Sequence, residues 1–119
     1  MKKFIRIDFD NIGDIIEYQI LIENYKEAQN VTTVIQNTLK NSINYIKSDF
    51  QDVEMLVIGA DDILFVTKNI NLQQVERLKE FYYQQSKFTV SIGVGNSINE
   101  TMLNLRIAKV SGKNKVFGI

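Results

Sequence analysis

The chain has 119 residues, 45% of them hydrophobic, a size and composition that predict one compact domain (1–119) with a core of its own. Lys plus Arg and Asp plus Glu number 14 each, so the formal charge is zero and nothing supports direct binding to nucleic acid or to an anionic membrane. The absence of cysteine and histidine removes disulfides, thiolate and imidazole catalysis and Cys- or His-bound zinc, leaving carboxylates, lysines or a metal held by oxygen. The opening MKKFIRIDFD is charged throughout, unlike a signal peptide or a membrane span, and a cysteine-free chain fits a reducing compartment; a soluble, cytoplasmic protein is expected.

Residues 3–9 (KFIRIDF) alternate apolar and polar and are rich in strand-forming types, which predicts a first strand with Asp8 at its C-terminal end. From Ile12 the period becomes helical. Ile15, Tyr18, Ile22 and Tyr25, then Ile35, Leu39, Ile43, Ile46 and Phe50, predict two consecutive helices broken near Gln29–Val31. Residues 54–59 and 62–67 predict a β-hairpin turning on Gly59, Ala60, Asp61 and Asp62. Asn71 with Gln74 opens a helix whose apolar stripe is Leu72, Val75, Leu78 and Tyr82, and Phe88–Val94 follows as a strand. In TVSIGVG, Ser91, Gly93 and Gly95 read as small residues that let a neighbouring element approach closely. Ser97 with Glu100 is an S-x-x-E capping box for a last helix with Leu103, Ile107 and Val110 on one face, ended by Gly112; Lys115–Ile119 closes as a strand. The order βααββαβαβ contains a βαββαβ core. The fold class is therefore α+β and ferredoxin-like, an antiparallel sheet with helices on one face and an extra C-terminal helix and strand.

In that topology the end of the first strand and the hairpin turn share one edge, so Asp8 and Asp61 converge. A lone Asp-Asp in a hairpin is more often a solvated turn than a ligand, but the D-x-D of IRIDFDNIG adds carboxylates suited to Mg²⁺, which takes carboxylate oxygens together with phosphate and water. For Asp10, a turn or helix cap is as good a reading as metal contact. Asn11, Ile12 and Gly13 place backbone N–H groups at a helix start, a ready anion site or an ordinary capped turn. Lys109 and Lys113 lie four residues apart, a spacing that aims two ammonium groups at one polyphosphate if they are not simply solvated.

Three blocks in order resemble the palm-domain nucleotide cyclases and polymerases, a superfamily that includes the GGDEF diguanylate cyclases and the polymerase subunit of type III CRISPR complexes. IDFDNIG is similar to the D-x-D strand end, GADD to the GGDD or GGDEF hairpin, and SIGVG with AKVSGKNKV to the closing S-I-G-V and A-K-x-x-G-K-N-x-V signature. The chain departs from diguanylate cyclases in several ways. It carries Asp61-Asp62 where they carry an acidic residue and Glu, it has Ile16 where an Asn helps to read guanine, and FQDVE at 50–54 lacks their R-x-x-D motif. Ala60 replaces the second glycine of the hairpin, where a methyl group crowds an approaching nucleotide. A palm domain this small most resembles the minimal CRISPR polymerases (mCpol).

The resemblance implies a nucleotidyltransferase that makes a cyclic oligonucleotide, cyclic di-adenylate from ATP with release of pyrophosphate. The product would control a membrane-associated effector in bacterial anti-phage signalling. It implies Asp8, Asp61 and Asp62 as catalytic residues, and Mg²⁺ or Mn²⁺ held by Asp8, Asp61, Asp62 and the Phe9 carbonyl. Substrate contacts fall to Asn11, Ile12, Gly13, Gly59, Lys109 and Lys113. Two protomers face to face, each presenting one nucleotide, imply a homodimer. The alternatives are a catalytically inactive palm-fold nucleotide sensor, with Ala60 as its sign, a diguanylate cyclase, or an RNA-binding ferredoxin-like module, which neutral charge disfavours.

Overall fold

The computed structural model describes residues 1–119. Strand β1 (Lys2–Phe9) is followed by helices α1 (Ile12–Leu21) and α2 (Tyr25–Asp49) and by the hairpin of β2 (Gln51–Ile58) and β3 (Asp62–Lys68). Helix α3 (Leu72–Ser86), strand β4 (Val90–Gly95), helix α4 (Ile98–Val110) and the short β5 (Val116–Phe117) complete the chain. The sheet order is β2-β3-β1-β4-β5. Neighbours among the first four strands pair antiparallel, as expected of a ferredoxin-like domain, whereas β5 runs parallel to β4. β1 is therefore central, with Asp8 opposite Asp62 on one side and Ser91 on the other.

Strand alternation sorts β1, β3 and β4 into two faces. Ile5, Ile7, Phe9, Ile63, Phe65, Val90, Ile92 and Val94 point into the main core, where Val31, Ile35, Leu39 and Ile46 of α2 and Val75, Leu78 and Tyr82 of α3 cover them. Tyr82 lies edge-on to Phe9 at 5.5 Å and donates its hydroxyl to Ser42 at 2.8 Å, so this buried phenol is satisfied and structural. Burial pushes its ionisation upward, and it stays neutral.

The opposite face carries Arg6, Asp8, Ser91, Gly93 and Gly95, and here the arrangement differs from helices on one face only: α4 crosses this side. The small residues of TVSIGVG make that possible. A Cβ on Gly93 would lie 2.4 Å from the Leu105 amide nitrogen and 2.5 Å from the Thr101 carbonyl, so the helix backbone rests directly on the strand. Such close packing selects Thr101, Asn104, Leu105 and Ala108 as the buried side chains. The expected stripe of Leu103, Ile107 and Val110 is wrong for this reason, Leu103 and Val110 being exposed.

Two further expectations are corrected. The break between the first helices lies at Ile22–Asn24, not Gln29–Val31: Glu23 turns left-handed (φ 62°) and Asn24 caps α2 through the Glu27 amide. Tyr18, Ile22 and Tyr25, part of the helical apolar repeat, are exposed, because α1 packs on α2 and buries only Ile12 fully. The last strand is confined to two residues.

Candidate active site

The site forms where β1 ends. Its final residues project alternately, Asp8 toward α4 and Phe9 into the core, while the Phe9 amide donates to the Asp61 carbonyl at 3.3 Å and ties the strand end to the hairpin turn. That turn closes through the Gly59 amide on the Asp62 carbonyl at 2.9 Å. Gly59 has no room for a side chain, since a Cβ would sit 2.0 Å from Asp62 Oδ1. The Asp62 carboxylate accordingly folds back against Gly59 and pairs with Arg6 at 2.6 Å. Asp8 and Asp61 instead face an open polar cavity of about 400 Å³.

Asn11, Ile12 and Gly13 at the start of α1 line the same cavity, as do Asp14, Arg106, Lys109 and Lys113. Of the residues expected from sequence, the cavity thus gathers Asp8, Phe9, Asn11, Ile12, Gly13, Asp61, Lys109 and Lys113, and leaves Gly59 and Asp62 one step behind its wall. Asn11 is left-handed (φ 60°) and makes no side-chain cap; its carboxamide oxygen accepts from Lys113 instead. Lys109 is anchored rather than free. Its ammonium donates to the Phe9 carbonyl at 2.8 Å and to Asp10 Oδ1 at 2.9 Å, and lies 3.3 Å from Asp8 Oδ2.

Asp10 is the residue whose role the sequence left open, and it proves to be neither a helix cap nor a cavity residue. It is 3% exposed. Its carboxylate accepts from Thr89 at 2.8 Å, Ser91 at 2.7 Å, Lys109 at 2.9 Å and the Asn114 amide at 3.0 Å. Burial alone would raise this carboxyl, but the hydrogen bonds from Lys109, Ser91 and Thr89 outweigh it and hold the group below its ordinary range. Asp8 is shifted the other way. Burial raises it, Lys109 opposes, and the charges of Asp61 and Asp62 add to the rise.

A hard cation suits this donor set. Nowhere do three or more acidic side chains converge as a full protein cage. The Asp8 and Asp61 carboxylates and the Phe9 carbonyl are oxygen donors of the kind Mg²⁺ takes when phosphate and water supply its other ligands. Beyond the turn, Asp61, Ile12 and Gly13 are shared with a second, largely apolar slot of about 250 Å³, lined also by Ile16, Thr32, Ile35, Gln36 and Ala60. Sequence reasoning missed Arg6, Arg106, Gln36 and the anchoring role of Asp10. Arg106 sits one turn before Lys109, so the R-x-x-K spacing was its available signal.

Strand-end carboxylates, an acidic hairpin turn and a polar cavity adjoining an apolar slot define a palm domain of the class shared by nucleotide cyclases and polymerases. Residues 4–119 match the minimal CRISPR polymerase domain (mCpol), and the chain belongs to that family. No curated protein matches it significantly. Among solved structures, the Csm1–Csm4 cassette in complex with cA3 superposes with a TM-score of 0.69 at 17% identity, covering 99% of this chain and 20% of that one. The diguanylate cyclase SiaD of Pseudomonas aeruginosa, solved with its activator SiaC, gives 0.61 at 16% identity, covering 97% of this chain and 48% of that one. The GGDEF domain of DgcB from Caulobacter crescentus, in complex with c-di-GMP, gives 0.63 at 14% identity, covering 98% and 76%. At these identities the likeness is one of fold, and the chain spans about a fifth of the first structure and half of the second.

Proposed function

We propose that the chain is a metal-dependent nucleotidyltransferase that converts ATP into a cyclic oligoadenylate, cyclic di-adenylate first among them, as a messenger in anti-phage signalling. The observation that carries this reading is the pair of adjoining cavities. One is polar and bounded by Asp8, Asp61 and three cationic side chains; the other is apolar, sized for a nucleobase, and the two share Asp61, Ile12 and Gly13. Family membership supports the same chemistry.

In this reading the base enters the slot between Ile12, Ile16, Ile35 and Ala60, and the triphosphate lies across the polar cavity. Asp8, Asp61 and the Phe9 carbonyl would hold Mg²⁺ or Mn²⁺, with Asp62 behind them on Arg6. Bound there, the metal supplies Lewis-acid stabilisation of the phosphates and lowers the pKa of the attacking hydroxyl. Amides at the start of α1 and the cations of α4 offset charge on the triphosphate as a ribose hydroxyl attacks the α-phosphorus and pyrophosphate leaves. Lys109 keeps the Phe9 carbonyl and the Asp8 carboxylate in register from behind. Ile16 gives guanine no hydrogen-bond partner, which favours adenine. One site holds one nucleotide, so ring closure uses a second protomer related by two-fold symmetry. The product would act on a membrane-associated effector.

The test is incubation of purified protein with Mg²⁺ or Mn²⁺ and each nucleoside triphosphate in turn, with products resolved by chromatography and mass spectrometry. A cyclic adenylate, lost in the Asp61→Asn, Asp62→Asn double variant, is expected. A guanylate product would instead make the chain a diguanylate cyclase. Bound nucleotide without turnover would favour a sensor, a reading that rests on the Ala60 methyl in the wall of the slot.

A further inference from the structure

Three cations line the polar cavity, and they are not equivalent. The Lys109 ammonium is committed to the Phe9 carbonyl, Asp10 and Asp8. Lys113 is committed to the side chain of Asn11. Arg106 alone makes no hydrogen bond or ion pair within the chain, although Asp8, Asp14 and Asp61 line the same cavity. It is exposed on α4 one turn before Lys109, a position held firmly because Leu105 and Asn104 beside it are pinned to β4: the Leu105 backbone rests on Gly93, and Asn104 donates to the Val94 carbonyl at 2.6 Å. A free guanidinium on a rigid helix at the mouth of a polyphosphate-sized cavity has two parallel N–H donors matched to two phosphate oxygens, which an ammonium cannot present.

We propose that Arg106 is a substrate-binding residue that grips the outer phosphates of the nucleoside triphosphate and distinguishes triphosphate from monophosphate. The proposal rests on the nucleotidyltransferase reading above and adds to the two lysines, which hold partners within the chain, a cation with none. The amides at the start of α1 face the reacting phosphate; Arg106 serves the leaving pyrophosphate.

The experiment is isothermal titration of the whole chain, in Ca²⁺ to hold back turnover, with ATP, ADP and AMP, for wild type, Arg106→Ala and Arg106→Lys, alongside thermal melts. Arg106→Ala is expected to weaken ATP binding roughly 10- to 100-fold, the scale of a charge-assisted bidentate contact, while AMP affinity and melting temperature stay within error. Arg106→Lys should recover only part of the loss. Under turnover with Mg²⁺, KM for ATP rises more than kcat falls. Unchanged ATP affinity in Arg106→Ala, or an equal loss for AMP, overturns the assignment and leaves the nucleotidyltransferase reading standing. A wild-type chain that binds no nucleotide overturns both.

Discussion

Asp8, near the end of β1, and Asp10, just beyond the end of that strand, stand two residues apart and are built for opposite purposes. Asp10 has four hydrogen-bond donors on its two oxygens and joins β1, β4, α4 and the loop at Asn114. Removing one member of such a buried, paired network leaves Lys109 without its closest carboxylate. Asp10→Ala should therefore cost about 3–5 kcal/mol in urea denaturation, and pyrophosphate release should fall with it as Lys109 loses its anchor. Asp8 is held with its carboxyl raised by burial and by neighbouring Asp61 and Asp62, only partly relieved by Lys109. Its charge is a burden on the folded state at neutral pH, tolerated at a functional position. Asp8→Asn is expected to raise the melting temperature and abolish turnover, with a loss of at least about 100-fold. A variant that melts lower, or stays active, would remove this account of Asp8. Ile16→Asn, which introduces a base-edge partner into the slot, should raise use of GTP relative to ATP in competition assays.

At the scale of elements, α4 is the piece whose placement decides the site. Its seat on Ser91, Gly93 and Gly95 sets how far Lys109 and Arg106 reach over the end of β1. Gly93→Ala places a methyl group against helix backbone at 2.4 Å, where no flexible side chain can yield. The expected outcome is a loss of about 1–3 kcal/mol from overpacking, together with weaker nucleotide binding as the helix lifts. Chemical denaturation and titration on the same variant check both. The α1–α2 junction offers the converse. Glu23 adopts φ 62° without a glycine, so Glu23→Gly should stabilise by about 1 kcal/mol, read as a shift in the denaturation midpoint. The left-handed residue before the Asn24 cap is not legible in the sequence, because nothing in Glu23 advertises that conformation.

For the whole molecule, the proposed chemistry needs two nucleotides and assigns one to each protomer. Specific activity should consequently fall on dilution of the protein, with a second-order dependence at low concentration, measured as cyclic product per protomer across a dilution series. Activity independent of concentration down to the lowest detectable level would mean that one chain suffices or that the dimer is very tight, and sedimentation under the same conditions separates the two. No helix of the chain is long and apolar enough to cross a membrane.

The sequence by itself determined the order of elements, the sheet that brings Asp8 to the Asp61–Asp62 turn, and the acidic residues that gather there. Those features are local: alternation, capping residues, turn residues and a chain without histidine or cysteine. Only the tertiary structure decided which carboxylate faces the cavity and which is held elsewhere. Asp10 is buried because Thr89, Ser91 and the Asn114 amide come to it from distant segments, and Asp62 turns to Arg6 because the neighbouring strand β1 offers a guanidinium at 2.6 Å, two residues before its register partner Asp8. The same holds for α4, whose buried face is chosen by the glycines beneath it and not by its own apolar pattern. Side-chain partners across a sheet depend on register and on close approach of backbones, and neither is written in the spacing of any one segment.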